Sequence, residues 1–135
     1  MDACFKYIGF IKRNDNSASR DATVEIHINK EYEEGLKGLE EFSHIIVIYH
    51  LHLANFDGRL LREKKGVMVG VFATRSQFRP NPIGISVAEV VEIKGNVIIG
   101  KGINAFNNTP VLDIKPYDKW DRAEKIKVPT WHDVV

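Results

Sequence analysis

The sequence predicts an all-β, mainly antiparallel fold of about seven strands with one short helix, closed as a barrel or stacked as a sandwich. Three observations carry the prediction. Two-residue alternation and β-branched runs recur along the 135 residues, with turn residues between them. A single segment has helical spacing. Strands and helices do not alternate, and no glycine-rich loop leads from a strand into a helix, because Gly95, Gly100 and Gly102 fall in or beside a hairpin.

Phe5 to Lys12 reads as the first strand, and the Asn-Asp-Asn-Ser-Ala-Ser run at 14–19 as a polar loop. From Ala22 to Ile28 the alternation is regular. Val24, Ile26 and Ile28 share one face and Thr23, Glu25 and His27 the other, the pattern of a half-buried strand. Asn29 stands at a helix N-cap position, and Glu31, Glu33 and Glu34 suit the positive end of a helix dipole. Leu36, Leu39 and Phe42 follow at three-residue spacing, so a short acidic helix is predicted near 30–41. His44 to Leu53 is apolar, β-branched and of strand length, which predicts a buried central strand. Residues 54–65 carry an Asp57-Gly58 turn signal and clustered Arg and Lys, and read as an exposed connection. Val67 to Ala73 is the next strand. Ile85 to Ile93 and Val97 to Ile103 flank Gly95-Asn96, a hairpin signal. Val111 to Tyr117, ended by Pro116, is the last strand; alternation puts Leu112, Ile114 and Pro116 on one face and Val111, Asp113, Lys115 and Tyr117 on the other. The charged tail from Asp118 to Val135 is expected to pack loosely on the outside.

Composition narrows the function classes. Nineteen Lys and Arg against 18 Asp and Glu leave a formal charge of +1, so the chain as a whole is neither a polybasic nor an acidic tail. With 44% hydrophobic residues it can form one core, and a single domain over 1–135 is expected. Cys4 is alone, which excludes an intrachain disulfide and a cysteine-only metal site. The longest apolar stretch, 44–54, is interrupted by histidines and too short to span a bilayer, and no signal-peptide pattern opens the chain. A cytoplasmic protein with no membrane partner is the expectation.

The stretch richest in chemistry is 70–84, Gly-Val-Phe-Ala-Thr-Arg-Ser-Gln-Phe-Arg-Pro-Asn-Pro-Ile-Gly. Pro80 and Pro82 stiffen the chain around Asn81. A stiff loop presenting Arg75, Ser76, Arg79 and Asn81 suits a carboxylate or phosphate, while a proline-rich corner with two solvated arginines fits as well. Asp113 and Lys115 would line either a polar pocket or solvent. His50 and His52 share a strand face with neither cysteine nor a suitably spaced carboxylate, so hydrogen-bonded histidines are expected there, as at His44, and no metal. Serine, histidine and aspartate are present without a nucleophile elbow. Between 59 and 80, six cations (Arg59, Arg62, Lys64, Lys65, Arg75 and Arg79) face Glu63 alone, a local +5 that leaves −4 for the remainder. Such a basic face suits a phosphate backbone or is simply solvated.

The 70–84 stretch resembles the signature of the TsaA-like family, which includes tRNA methyltransferases acting on N6 of threonylcarbamoyladenosine beside the anticodon. Residues 33–44 are similar to that family's helix-and-entry segment and residues 109–117 to its C-terminal motif, in the same order. The resemblance implies a single-sheet β-barrel that binds S-adenosylmethionine and works as a homodimer on the tRNA anticodon loop. Carried over by position, it implies a cofactor site formed by Leu53, Ala54, Arg79, Glu89, Ala105, Phe106, Asn107 and Asn108. Arg75 and Asn81 fall in the signature loop as candidates for the cofactor carboxylate or an RNA phosphate, and Phe78 or Tyr117 for stacking on an unpaired base. Three features depart from the family pattern. The loop at 14–20 is short and polar, Asn107-Asn108 replaces the usual Asp-Gly, and no counterpart of the extra C-terminal domain of some bacterial members is expected. A transfer to N6 needs alignment of donor and acceptor and a base for the N6 proton, for which His52 and Asp113 are the candidates. Binding of S-adenosylmethionine in a regulatory or interaction protein without methyl transfer, and methyl transfer to another RNA or small molecule, are the alternatives.

Overall fold

The computed structural model describes residues 1–132. Eight strands form: β1 (Gly9–Lys12), β2 (Thr23–Ile28), β3 (His44–His50), β4 (Leu61–Lys64), β5 (Val67–Gly70), β6 (Ile83–Lys94), β7 (Val97–Lys101) and β8 (Pro110–Pro116). Six of them close an antiparallel barrel in the order β1-β2-β7-β6-β3-β8, and β4-β5 stand apart as a two-stranded hairpin. The barrel meets the all-β expectation. Among the described residues no helix is long and apolar enough to cross a membrane.

Inward-facing β-branched residues fill the barrel. Ile11, Ile26, Ile45, Val47, Ile98 and Val111 are completely buried, joined by Ile103 from the connection after β7. In β2 the inward set is Val24, Ile26 and Ile28, as the alternation requires. Burying side chains of this kind contributes about 1.5–3 kcal/mol each.

Several elements differ from the sequence reading. The acidic segment is two 3₁₀ helices, Lys30–Leu36 and Leu39–Glu41, interrupted at Gly38 in the left-handed region at φ +90°. Asn29 does not cap it; its side-chain amide donates to the Tyr7 carbonyl at 3.3 Å. Regular pairing begins at Gly9 rather than Phe5, which is exposed. β3 ends at His50, because Leu51 donates to the Pro82 carbonyl and Ala54 then closes a turn back onto Leu51. Its outward face is half-buried, so β3 is a barrel strand with one covered face, not one buried on both. Residues 71–73 leave the ladder as a 3₁₀ turn.

β4 falls in the stretch whose sequence reads as a connection, because Leu-Arg-Glu-Lys is mostly polar. Lys65 and Gly66, at φ +50° and +83°, form the two-residue turn that folds it onto β5. In β8 the alternation breaks: Ile48 pairs with Asp113 but Tyr49 with Val111, so Leu112 is bulged. The bulge turns Val111 into the core on the same side as Ile114, correcting the face assignment made by alternation. The tail is exposed from Asp118 to Thr130, but Trp131 and His132 return to half-buried positions. The last three residues of the tail lie outside the described residues.

Candidate functional site

At the His50 end of β3 the barrel opens into a cavity of about 330 Å³. Tyr49 and Gly84 form its floor, residues 74–77 and Arg79 one wall and residues 104–106 the other, with Ala18, Arg20 and Leu51 at the rim. Sequence logic explains the floor. Tyr49 points inward opposite Gly84 in the β3–β6 register, and a Cβ on Gly84 would come within 2.3 Å of the tyrosine ring. The Tyr49 hydroxyl lies 2.8 Å from Ser86 Oγ and donates to the Asn104 carbonyl at 3.0 Å. Burial raises the Tyr49 pKa, so the phenol stays protonated and neutral.

The signature loop is wired to itself. Thr74 Oγ1 donates to the Val71 carbonyl at 2.7 Å and accepts from the Ser76 amide at 3.2 Å. Arg79 Nη1 donates to the Thr74 and Ser76 carbonyls at 2.8 and 3.3 Å. Arg62 joins the hairpin to this loop: it is bidentate to Asp57 at 2.8 and 2.9 Å and also donates to the Phe78 carbonyl. That partner holds the Asp57 carboxyl below its ordinary pKa. Three arginines of the basic segment, Arg62, Arg79 and Arg75, whose Nη2 donates to the Ile85 carbonyl at 3.1 Å, thus spend donors on structure.

The opposite wall depends on Arg13, which nothing in the sequence singled out. Its side chain is 0% exposed. Nη1 donates to the Ile103 and Ala105 carbonyls at 3.1 Å each, and Nη2 to the Ser19 carbonyl at 2.9 Å. Nε donates to Asp15 Oδ1 at 2.8 Å, and the Arg13 amide donates to Asn107 Oδ1 at 2.8 Å. The guanidinium and Ser17 together hold the Asp15 pKa down at about 2. One buried cation therefore fixes the 14–20 loop and the 103–107 turn, which carry Ala18, Arg20, Asn104, Ala105 and Phe106 to the pocket.

The structure brings part of the expected site together. Arg75, Arg79, Ala105 and Phe106 line the pocket, while Arg75, Arg79 and Asn81 share a shallower depression with Phe72 on its outer side. Asn107 and Asn108 sit just beyond, Asn107 held by Arg13 and Asn108 in the left-handed region at φ +69°. Ala54 is buried and Leu53 exposed in the turn after β3. Glu89 lies opposite His44, at the far end of β3 from the pocket.

His52 is exposed, its ring 6.4 Å from that of His50, whose Nδ1 is 2.6 Å from the Tyr7 hydroxyl. Asp113 pairs with Lys115 at 3.4 Å and borders a separate groove beside the 3₁₀ helices. Phe78 is partly exposed, and Tyr117 leans on His44 with centroids 6.2 Å apart. Among the described residues no group of three or more His, Cys, Asp or Glu side chains is placed to hold a metal ion.

A closed antiparallel barrel with an end pocket walled by residues 74–77, Arg79 and residues 104–106 defines a single-sheet barrel class, distinct from doubly wound nucleotide folds. The chain belongs to the family described as the tRNA-methyltransferase O N-terminal domain, whose model matches residues 4–121. It is 47% identical over 117 residues to a probable S-adenosyl-L-methionine-binding protein of Pyrococcus abyssi, covering 83% of this chain and 62% of that one. A tRNA (adenine(37)-N6)-methyltransferase of Homo sapiens is 38% identical over 105 residues, 72% of this chain and 23% of the other. The crystal structure of TrmO from Pseudomonas aeruginosa superposes with a TM-score of 0.73 at 30% identity, covering 92% of this chain and 60% of that one. This chain thus spans less than two thirds of the length of each of these three proteins.

Proposed function

We propose that this protein binds S-adenosylmethionine in the end pocket and methylates N6 of threonylcarbamoyladenosine beside the anticodon of tRNA. The observation that carries the reading is the make-up of the pocket. Its volume of about 330 Å³ lies within the roughly 300–1,000 Å³ of small-molecule sites. Tyr49, Leu51, Ala105 and Phe106 offer apolar and aromatic walls for a ring system, and Arg20 and Arg79 offer cations for a carboxylate. Arg79, Ala105 and Phe106 are our cofactor contacts, with Ala54, Asn107 and Asn108 shaping the adjacent backbone.

S-adenosylmethionine supplies an electrophilic sulfonium methyl, and the chain's own residues have to align the acceptor with it. The stiff 74–82 loop and the Arg13-braced turn do this by holding the pocket walls apart at a fixed spacing. His52, one residue beyond the pocket residue Leu51, is our candidate to take the N6 proton, with Asp113 second. Arg59, Lys65, Arg75 and Asn81 would face the anticodon-loop phosphates, and exposed Phe78 would stack on an unpaired base. A homodimer would cover Ile83, Ile85 and Val87, which point outward and exposed from β6 beside half-buried Ile46 and Ile48. A tRNA substrate would be met in the cytoplasm, the compartment that fits this reading.

The test is incubation with labelled S-adenosylmethionine and tRNA bearing the threonylcarbamoyl group, followed by nucleoside analysis. The N6-methylated nucleoside is expected. Cofactor binding by calorimetry without a methylated nucleoside would favour a second reading, binding without transfer, which the position of His52 and Asp113 outside the pocket lining also supports. Arg79→Ala should weaken cofactor binding, and an unchanged affinity would remove Arg79 from the site. Sedimentation as a single 15 kDa species at micromolar concentration would defeat the dimer.

A further inference from the structure

Among the described residues, the tail after β8 touches the pocket at one place. Residues 118–130 are exposed, and the 3₁₀ turn Lys119–Asp121 holds no buried residue. At Pro129 the chain turns, the His132 amide donating to the Pro129 carbonyl at 3.2 Å, and Trp131 and His132 come to line the same cavity as Tyr49, Arg79 and Phe106. Their rings stand edge to face, with centroids 6.4 Å apart. Trp131 lies beyond the residues that the family model matches.

A large aromatic is an unusual thing to bring back to a polar-rimmed pocket from an otherwise solvated strand of chain. We propose that Trp131 is a ligand-binding residue, the aromatic wall that stacks on the adenine ring of the bound nucleoside. This rests on the reading of the pocket as an S-adenosylmethionine site. The other walls fit this placement: Arg79 stands on the side of residues 74–77, where a carboxylate would sit, and Ala105 and Phe106 opposite, beside polar Asn104 and Arg20, present apolar surface to a purine. A tryptophan indole gives the largest stacking face among the side chains, and turning it in from the tail closes the mouth over the ring without altering the barrel.

The chain has two tryptophans, and Trp120 is 95% exposed. In a Trp120→Phe protein Trp131 is therefore the remaining indole reporter. Its emission should change along the same isotherm as the calorimetric heat when S-adenosylmethionine or S-adenosylhomocysteine is titrated, and stay constant with methionine, which lacks the ring. Trp131→Ala should weaken cofactor binding about 5- to 150-fold, the worth of one base–aromatic stack, and Trp131→Phe should restore most of it. Emission that stays silent at calorimetric saturation overturns the proposal. So does a Trp131→Ala protein that binds within twofold of wild type, or more tightly, as it would if the indole were a plug. A wild-type protein that binds no S-adenosylmethionine removes the cofactor reading itself and this proposal with it.

Discussion

Replacing Arg13 by methionine keeps most of the buried stem and deletes every side-chain donor. The Ile103 and Ala105 carbonyls, on residues that are themselves buried, lose their guanidinium partner, whereas the Ser19 carbonyl lies nearer solvent. Each orphaned buried carbonyl costs about 1–3 kcal/mol, so Arg13→Met should lose roughly 2–6 kcal/mol, a large share of a stability of about 5–15 kcal/mol. For a domain of this size that is a fall in Tm of roughly 7–25 °C. A second signature is acid sensitivity. The Asp15 pKa is depressed from 3.8 to about 2 in the folded protein, so its contribution is present above pH 3.8 and is lost as pH falls toward 2. Arg13→Met should therefore melt earlier at pH 7 and show a shallower loss between pH 4 and pH 2 than wild type. Melting followed by circular dichroism across that range is the assay. A variant that melts within about 2 °C of wild type, or keeps the full acid slope, would refute the account of Arg13 as the brace of both loops.

Gly84→Ala puts a methyl against a Tyr49 ring that its hydroxyl bonds hold in place; a loss of about 1–3 kcal/mol and weaker cofactor binding are expected, and calorimetry showing normal affinity would mean the ring can yield. Arg62→Met should free the hairpin from the signature loop while leaving the barrel intact. The expected readout is faster tryptic cleavage at Lys64 and Lys65 with little change in Tm, and equal cleavage rates would show that Arg62 is not the tether.

What could be read in the sequence was local. The alternation at Val24, Ile26 and Ile28 named its core face correctly because one strand's pattern suffices to do so. The bulge at Leu112 could not be read this way, since it exists in the pairing of β8 with β3 and leaves no mark on the β8 sequence. β4 was hidden by its polarity; the sign was the Lys65-Gly66 turn. In the site, the 70–84 loop announced itself by composition, whereas Ala105 and Phe106 were reached only through the family resemblance. Arg13 did not, because its partners at 103, 105 and 107 lie some ninety residues away, and Tyr49 read as one more core residue of an apolar strand.

Barrel closure has a consequence for how the chain is made. Gly9 pairs with Val111 and Phe10 with Pro110, so the first strand can be fastened on its second side only by the last. During synthesis β1 and β2 can pair early, yet the cylinder stays an open sheet with two raw edges until β8 has emerged. Contacts of such sequence separation slow folding and lengthen the interval in which those edges are available to other chains. The nascent protein is therefore at greatest risk of misassembly late, when all but its final strand is in place.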